Sequence, residues 1–223
     1  MTEPGQDGGP PGDRGFRLDL LLRRRPVVTW SATALIVGTS LMAFALPDQV
    51  LALRLAKVNQ RILAGEWWRL LTVALVHGSL LHLFFNAYAL YNLGGLVERL
   101  YGRARYLVLL VMGTAAATAA SVAWTPAPAV GASGGIFALV GALLVLGLSR
   151  RSALPEPVRR RLLRDMAWIA ALNLALGATI PYVDNAAHVG GLVAGLALGG
   201  LLGPAAEVRR LSQRGFPPGG ATR

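Results

Sequence analysis

A serine set among glycines, Gly131-Ala132-Ser133-Gly134-Gly135, opens a strongly apolar stretch that runs to Leu148. Further along the chain His188 stands near the head of a second apolar stretch, rich in glycine. A hydroxyl and an imidazole are the parts of a nucleophile and its general base. Both residues sit just inside the start of what reads as a membrane-spanning helix. At 1.5 Å rise per residue, each lies only a few Å below the same membrane face, so their depths match. The chemistry these residues suggest is hydrolysis within a bilayer. His82 and Asn86 are one helical turn apart and share a helix face. With Ser79 as the helix cap, they fall in the first and second turns. Both can donate toward an oxyanion, and the Ser133 N–H at a helix N-terminus adds a third donor.

Each of these residues also has a plainer reading. Ser133 alone could bond a backbone carbonyl at a helix contact, His188 alone could be structural, and His82 and Asn86 could only tie one helix to its neighbours. What favours chemistry is the combination of equal depth and glycine context. Gly191, Gly195 and Gly199 recur at spacing four after His188, and Gly134, Ala138 and Gly141 keep the other helix slim. Such stripes let two backbones approach closely, which would bring His188 to Ser133. Asp184, four residues before His188, could orient its ring; the preferred reading is a cap for the helix that follows.

The elements that must hold these residues are transmembrane helices. Of 223 residues, 54% are hydrophobic and only 15% charged, against about 25% charged in a soluble domain. Mean hydropathy is +0.50. The fold expected is all-α, with six spans: Val27–Leu46, Ser79–Val97, Tyr106–Trp124, Ser133–Leu148, Met166–Ile180 and Asn185–Leu202. They form one membrane domain over 26–203, between a disordered cytoplasmic N-terminal tail (1–25) and a cytoplasmic C-terminal tail (204–223). All of the 22 basic residues except Arg54, Lys57, Arg61 and Arg69 fall on one side of this topology. The positive-inside rule makes that side cytoplasmic, with both termini, and makes the serine face external. The net charge of +11 is therefore read as topology rather than nucleic-acid binding. Lys57, the single lysine, is given no chemical meaning. The loop from Asp48 to His77 reads as an interfacial segment, with Trp67 and Trp68 at headgroup level. With no cysteine, thiolate catalysis and cysteine-ligated metal are excluded, and neither metal nor cofactor is expected.

At these residues the chain resembles the rhomboid intramembrane serine proteases of the bacterial six-span type. The motifs that carry the resemblance are Gly131-x-Ser133-Gly134, Ala187-His188-x-x-Gly191-x-x-x-Gly195, the spaced His77, His82 and Asn86, Trp68-Arg69, and Glu98 with Gly102. The resemblance implies that Ser133 is the nucleophile and His188 the general base and then acid, working as a dyad. It implies an oxyanion site from His82, Asn86 and the Ser133 N–H, a water-organising or structural His77, and structural Arg69 and Glu98. Phe137 would pack on the catalytic imidazole. The implied location is the cytoplasmic membrane, and the implied partners are transmembrane protein substrates and membrane lipid, entering near Trp168–Tyr182. Oligomeric state is not legible.

Three rivals fit less well. A soluble α/β-hydrolase needs a strand before its nucleophile elbow, and Thr125-Pro126-Ala127-Pro128 is a poor one. A metalloprotease needs a carboxylate beside its histidines. A catalytically silent rhomboid-like protein that binds transmembrane helices is the alternative to an enzyme; a transporter would more often show an internal repeat.

Overall fold

The computed structural model describes residues 24–149 and 154–205. Both expected tails fall almost wholly outside them, as do Arg150 and Arg151. Among the described residues, six long helices dominate: α1 (Val27–Ala45), α2 (Leu80–Tyr101), α3 (Arg103–Trp124), α4 (Ser133–Leu148), α5 (Glu156–Thr179) and α6 (Asn185–Leu202). They contain no strand, only an isolated backbone bridge between Lys57 and Ala129. The architecture is an all-α membrane bundle.

Helices α1, α2, α3 and α6 are long and apolar enough to cross a bilayer. Their outward faces keep large apolar side chains exposed, Leu35, Met42, Phe84, Leu107, Val193 and Leu201 among them, as lipid rather than water requires. Helix α4 is shorter, at 16 residues. It is apolar on every side and occupies the centre of the bundle, with every residue from Gly134 to Leu143 buried. A helix surrounded by protein is expected to look apolar all round.

Helix α5 departs from expectation. The sequence places a short span at Met166–Ile180, but the helix begins at Glu156. The arginine-rich segment before the apolar part is helical because its charges pair along the helix. Arg159 and Arg160 reach Glu156, and Arg161 and Arg164 reach Asp165. The Arg159 guanidinium also donates to the Gly147 carbonyl at 2.9 Å, tying the start of α5 to the end of α4.

At the opposite end of the bundle from Ser133, Glu98 closes the α1–α2 pair. Its buried carboxylate accepts from the Val28 N–H at 3.2 Å, and from the Thr29 N–H and hydroxyl at 2.8 Å each. These are first-turn donors of α1, whose own cap residue Pro26 offers no side-chain acceptor. The first loop, 46–79, is a series of short helical turns. Trp67 and Trp68 are exposed on it, consistent with an interfacial segment.

The closest packing in the molecule is between α4 and α6. A Cβ on Gly191 would lie 2.1 Å from the Gly134 carbonyl oxygen, and one on Gly195 would lie 1.9 Å from that of Ala138. From the other side, a Cβ on Gly141 would lie 2.3 Å from the Leu192 carbonyl oxygen. These contacts are with backbone, which cannot move aside as a side chain can. Gly195→Leu should therefore destabilise the bundle by about 3 kcal/mol or more, whereas Gly38→Leu, at a site with nothing within 4 Å, should be near neutral. Thermal unfolding in one detergent measures both; equal melting temperatures would refute the packing argument.

Candidate functional site

The site begins with the turn into α4. Gly131 has φ +120°, a conformation L side chains rarely adopt. A Cβ there would also fall 2.7 Å from Cε1 of His82. The Gly131 N–H donates to the Val73 carbonyl at 2.9 Å, and the Ala132 N–H donates to Nε2 of His77 at 3.4 Å. Ser133 is then the first residue of the helix. As in any helix, the first-turn N–H groups of α4 have no intrahelical acceptor, and no side chain caps them.

The Ser133 hydroxyl stands 2.9 Å from Nε2 of His188. With Nε2 accepting from the hydroxyl, Nδ1 carries the ring proton. Nδ1 is buried and hydrogen-bonds to none of the described residues. The Phe137 ring stacks on the imidazole with centroids 4.2 Å apart and planes 5° from parallel. This fixes the ring's plane by packing where no carboxylate does so.

Asp184 does not reach the imidazole by a hydrogen bond. It caps α6, accepting from the Ala187 N–H at 3.0 Å. It also accepts from the Ser121 hydroxyl and, at 3.2 Å, from the Thr125 hydroxyl. The helix carrying His188 is thereby pinned to the end of α3.

Ser79 caps α2, accepting from the His82 N–H at 3.1 Å. One turn on, the Asn86 amide donates to the His82 carbonyl at 3.0 Å, while its Oδ1 is buried without a partner. Asn86 shares a cavity of about 120 Å³ with Ser133 and His188, and Phe85, Ile169 and Asn173 also line it. The cavity thus lies where α2, α4, α5 and α6 meet. His82 stands aside from it, behind Gly131, with its ring centroid 4.9 Å from that of His77. Arg69 and Glu98 are remote from the cavity. Arg69 binds the first loop together, donating to Glu66 at 2.6 Å and to the carbonyls of Leu53 and Ala56 at 2.9 and 2.7 Å.

Two contributors escape the sequence reading. Lys57 is fully buried. Its ammonium donates to the carbonyls of Thr125 and Ala127, and its backbone pairs with Ala129 through two hydrogen bonds. It thus fastens the first loop to the segment that leads into Ser133. The only sequence signal was that a lone lysine persists among arginines. Ser40 in α1 is buried and lies 2.9 Å from Nδ1 of His77. Because Nε2 of His77 accepts from Ala132, Nδ1 carries the proton and donates to Ser40, which donates on to the Leu75 carbonyl at 3.0 Å. Among the described residues, no group of His, Cys, Asp and Glu could hold a metal ion.

The Rhomboid domain family model matches residues 64–205. Rhomboid protease GluP of Bacillus subtilis (strain 168) is 39% identical over 148 residues, which are 66% of this chain and 28% of that protein. RHOMBOID-like protein 9, chloroplastic, of Arabidopsis thaliana is 32% identical over 144 residues, 65% of this chain and 33% of that protein. YdcA of B. subtilis (strain 168) is 29% identical over 182 residues, 79% of this chain and 88% of its own length. The chain therefore spans about a third or less of the first two relatives.

His77 offers a test of the turn before Ser133. Burial, and secondarily the charge of His82, push its imidazole from 6.5 down to about 3. Between those values the unfolded chain holds the extra proton, so stability falls as pH drops through that window. One proton gives a slope of at most about 1.4 kcal/mol per pH unit. His77→Gln should unfold less steeply with falling pH between 6 and 5 than the wild type, by about that one proton. Parallel pH dependences would show that His77 is not held neutral.

Proposed function

Starting from the premise that this chain belongs to the rhomboid family, we propose that it is a serine endopeptidase that cleaves transmembrane segments of other proteins. Family membership and relatives named as proteases support intramembrane proteolysis. The observation that carries the reading to this chain is the 2.9 Å contact between Ser133 and His188. In the proposed reaction, Nε2 of His188 takes the Ser133 proton as Oγ attacks the scissile carbonyl. The tetrahedral oxyanion is met by the Ser133 N–H, by the Asn86 amide N–H not used on His82, and by His82 after a small ring movement. His188 then gives its proton to the leaving amine, and water repeats the sequence to release the acyl group. The dyad needs no carboxylate because Phe137 stacking and the α4–α6 contact hold the imidazole.

A helix hides its carbonyls, so the substrate must enter sideways and unwind. Support for entry between α2 and α5 comes from the cavity that Phe85 and Ile169 share with Ser133. It also comes from the sparse burial of α5, where only Met166 and Ala170 are buried. By the arginine distribution, the site opens to the external face of the cytoplasmic membrane, with both termini inside. Small residues near helix-breaking positions are the expected cleavage points. The second reading is a silent protein that binds transmembrane helices. It draws on relatives named only RHOMBOID-like.

A fluorophosphonate probe separates the two readings. Folded wild type should be labelled, and Ser133→Ala and His188→Ala should not. Asn86→Ala should lower kcat by ~10- to 1000-fold. Absence of labelling in folded wild type would establish the silent reading. Because the chain lacks cysteine, Phe85→Cys with Ile169→Cys places a unique pair across the cavity. A reducible cross-link between them should block cleavage of a membrane substrate until it is reduced, while probe labelling persists. Unimpeded cleavage through the cross-link would exclude entry between α2 and α5.

A further inference from the structure

The end of the bundle opposite Ser133 carries a second cavity, of about 410 Å³, where the start of α1 meets the turn between α2 and α3. Arg24, Arg25, Arg99 and Arg103 line it, with Glu98 and Gly102. We infer that this cavity binds the phosphate of an anionic phospholipid headgroup, such as phosphatidylglycerol.

The first argument is charge. Beside Arg24, the side chains of Arg25, Arg99 and Arg103 line one concavity that a single carboxylate also lines. That carboxylate already accepts from the Val28 N–H, the Thr29 N–H and the Thr29 hydroxyl. Arg103 reaches it only at 3.7 Å, with its side chain two-thirds exposed. The Arg99 guanidinium is oriented into the group by its hydrogen bond to the Arg24 carbonyl at 3.0 Å. Like charges lining one cavity repel one another, and phosphate is an anion whose geometry suits planar guanidiniums.

The second argument is contrast. The arginines at the start of α5 lie on the same side of the bundle but pair along their own helix with Glu156 and Asp165. Topology alone would explain arginines arranged in that way. It does not explain arginines gathered about a cavity.

The third argument is depth. The cavity sits at the first residues of α1 and α3, the level where apolar span gives way to charge, which is where headgroup phosphates lie. Basic pockets at helix ends on the cytoplasmic side are suited to such lipids. A soluble anion would find the cavity equally charged, so the source must be tested.

The full-length protein in phosphatidylcholine nanodiscs is titrated with fluorescently labelled phosphatidylglycerol. Arg99→Gln with Arg103→Gln should weaken binding at least ~10-fold, the loss of about one charge-assisted contact to phosphate. Arg160→Gln with Arg161→Gln removes the same charge outside the cavity and should change binding less than ~2-fold. Equal weakening by both pairs would reduce the effect to surface charge and overturn the proposal. Inorganic phosphate at matched concentration should not displace the lipid; displacement with equal affinity would assign the cavity to free phosphate and overturn the lipid reading. If the Arg99/Arg103 variant fails to fold in phosphatidylcholine, Arg25→Gln carries the test, with ~3-fold weakening expected and unchanged binding overturning the proposal.

Discussion

Backbone-to-backbone contact between α4 and α6 is the constraint from which the rest of the site follows. In lipid, apolar side chains gain little by leaving one apolar surrounding for another, so helices associate through close packing. Gly191 and Gly195 meet the carbonyls of Gly134 and Ala138 at distances that exclude any side chain. That contact fixes the relative height of the two helices as well as their separation. Ser133 and His188 are the first-turn residues of these helices, so fixing the heights fixes the hydrogen bond between them. The stacking of Phe137 on the imidazole uses the same proximity.

A helix contact can place two side chains, but it cannot shape the turn that delivers the first of them. That task falls to the first loop. The Val73 carbonyl holds the Gly131 N–H, His77 holds the Ala132 N–H, and Lys57 holds the carbonyls of Thr125 and Ala127. Arg69 in turn gathers the loop's own carbonyls. Because these are polar groups in a poorly solvated place, leaving any of them unpaired would be costly. The loop and the serine turn therefore stabilise each other.

This division explains what could be read from the chain. Ser133, His188 and the glycine stripe were legible because helical period and membrane depth are local properties of sequence. The all-α class and the order of the helices followed from hydropathy in the same way. Lys57 and Ser40 were not legible, since their partners at 125–127 and 77 are brought near only by the finished fold. The long charged start of α5 was missed because hydropathy marks only the apolar part of a helix, while ion pairs with Glu156 and Asp165 extend it. Asp184 was legible as a cap, but its bonds to Ser121 and Thr125 on α3 were not.

The distribution of rigidity then bears on how such a site can work. Helices α4 and α6 must stay fixed, because a shift of one turn would part Ser133 from His188. Helix α5 is held to α4 near its start, through Arg159 on the Gly147 carbonyl and through Gly147 against Leu163, and farther along by the buried Met166 and Ala170. Farther along, Asn185 reaches the Leu174 carbonyl at 3.0 Å, but Trp168, Leu172, Leu176 and Ile180 remain exposed. With so much of its outer face bare of protein contact, α5 is the helix whose displacement would least disturb the contact between Ser133 and His188. In the proposed reaction, nucleophile and base would sit on the close-packed α4–α6 pair and access would lie beside the more exposed α5, which would reconcile a precise site with a bulky substrate. The arginine-lined cavity lies where α1, α2 and α3 join, and no residue of α5 lines it. A lipid held there would brace the junction of α1, α2 and α3 without touching α5.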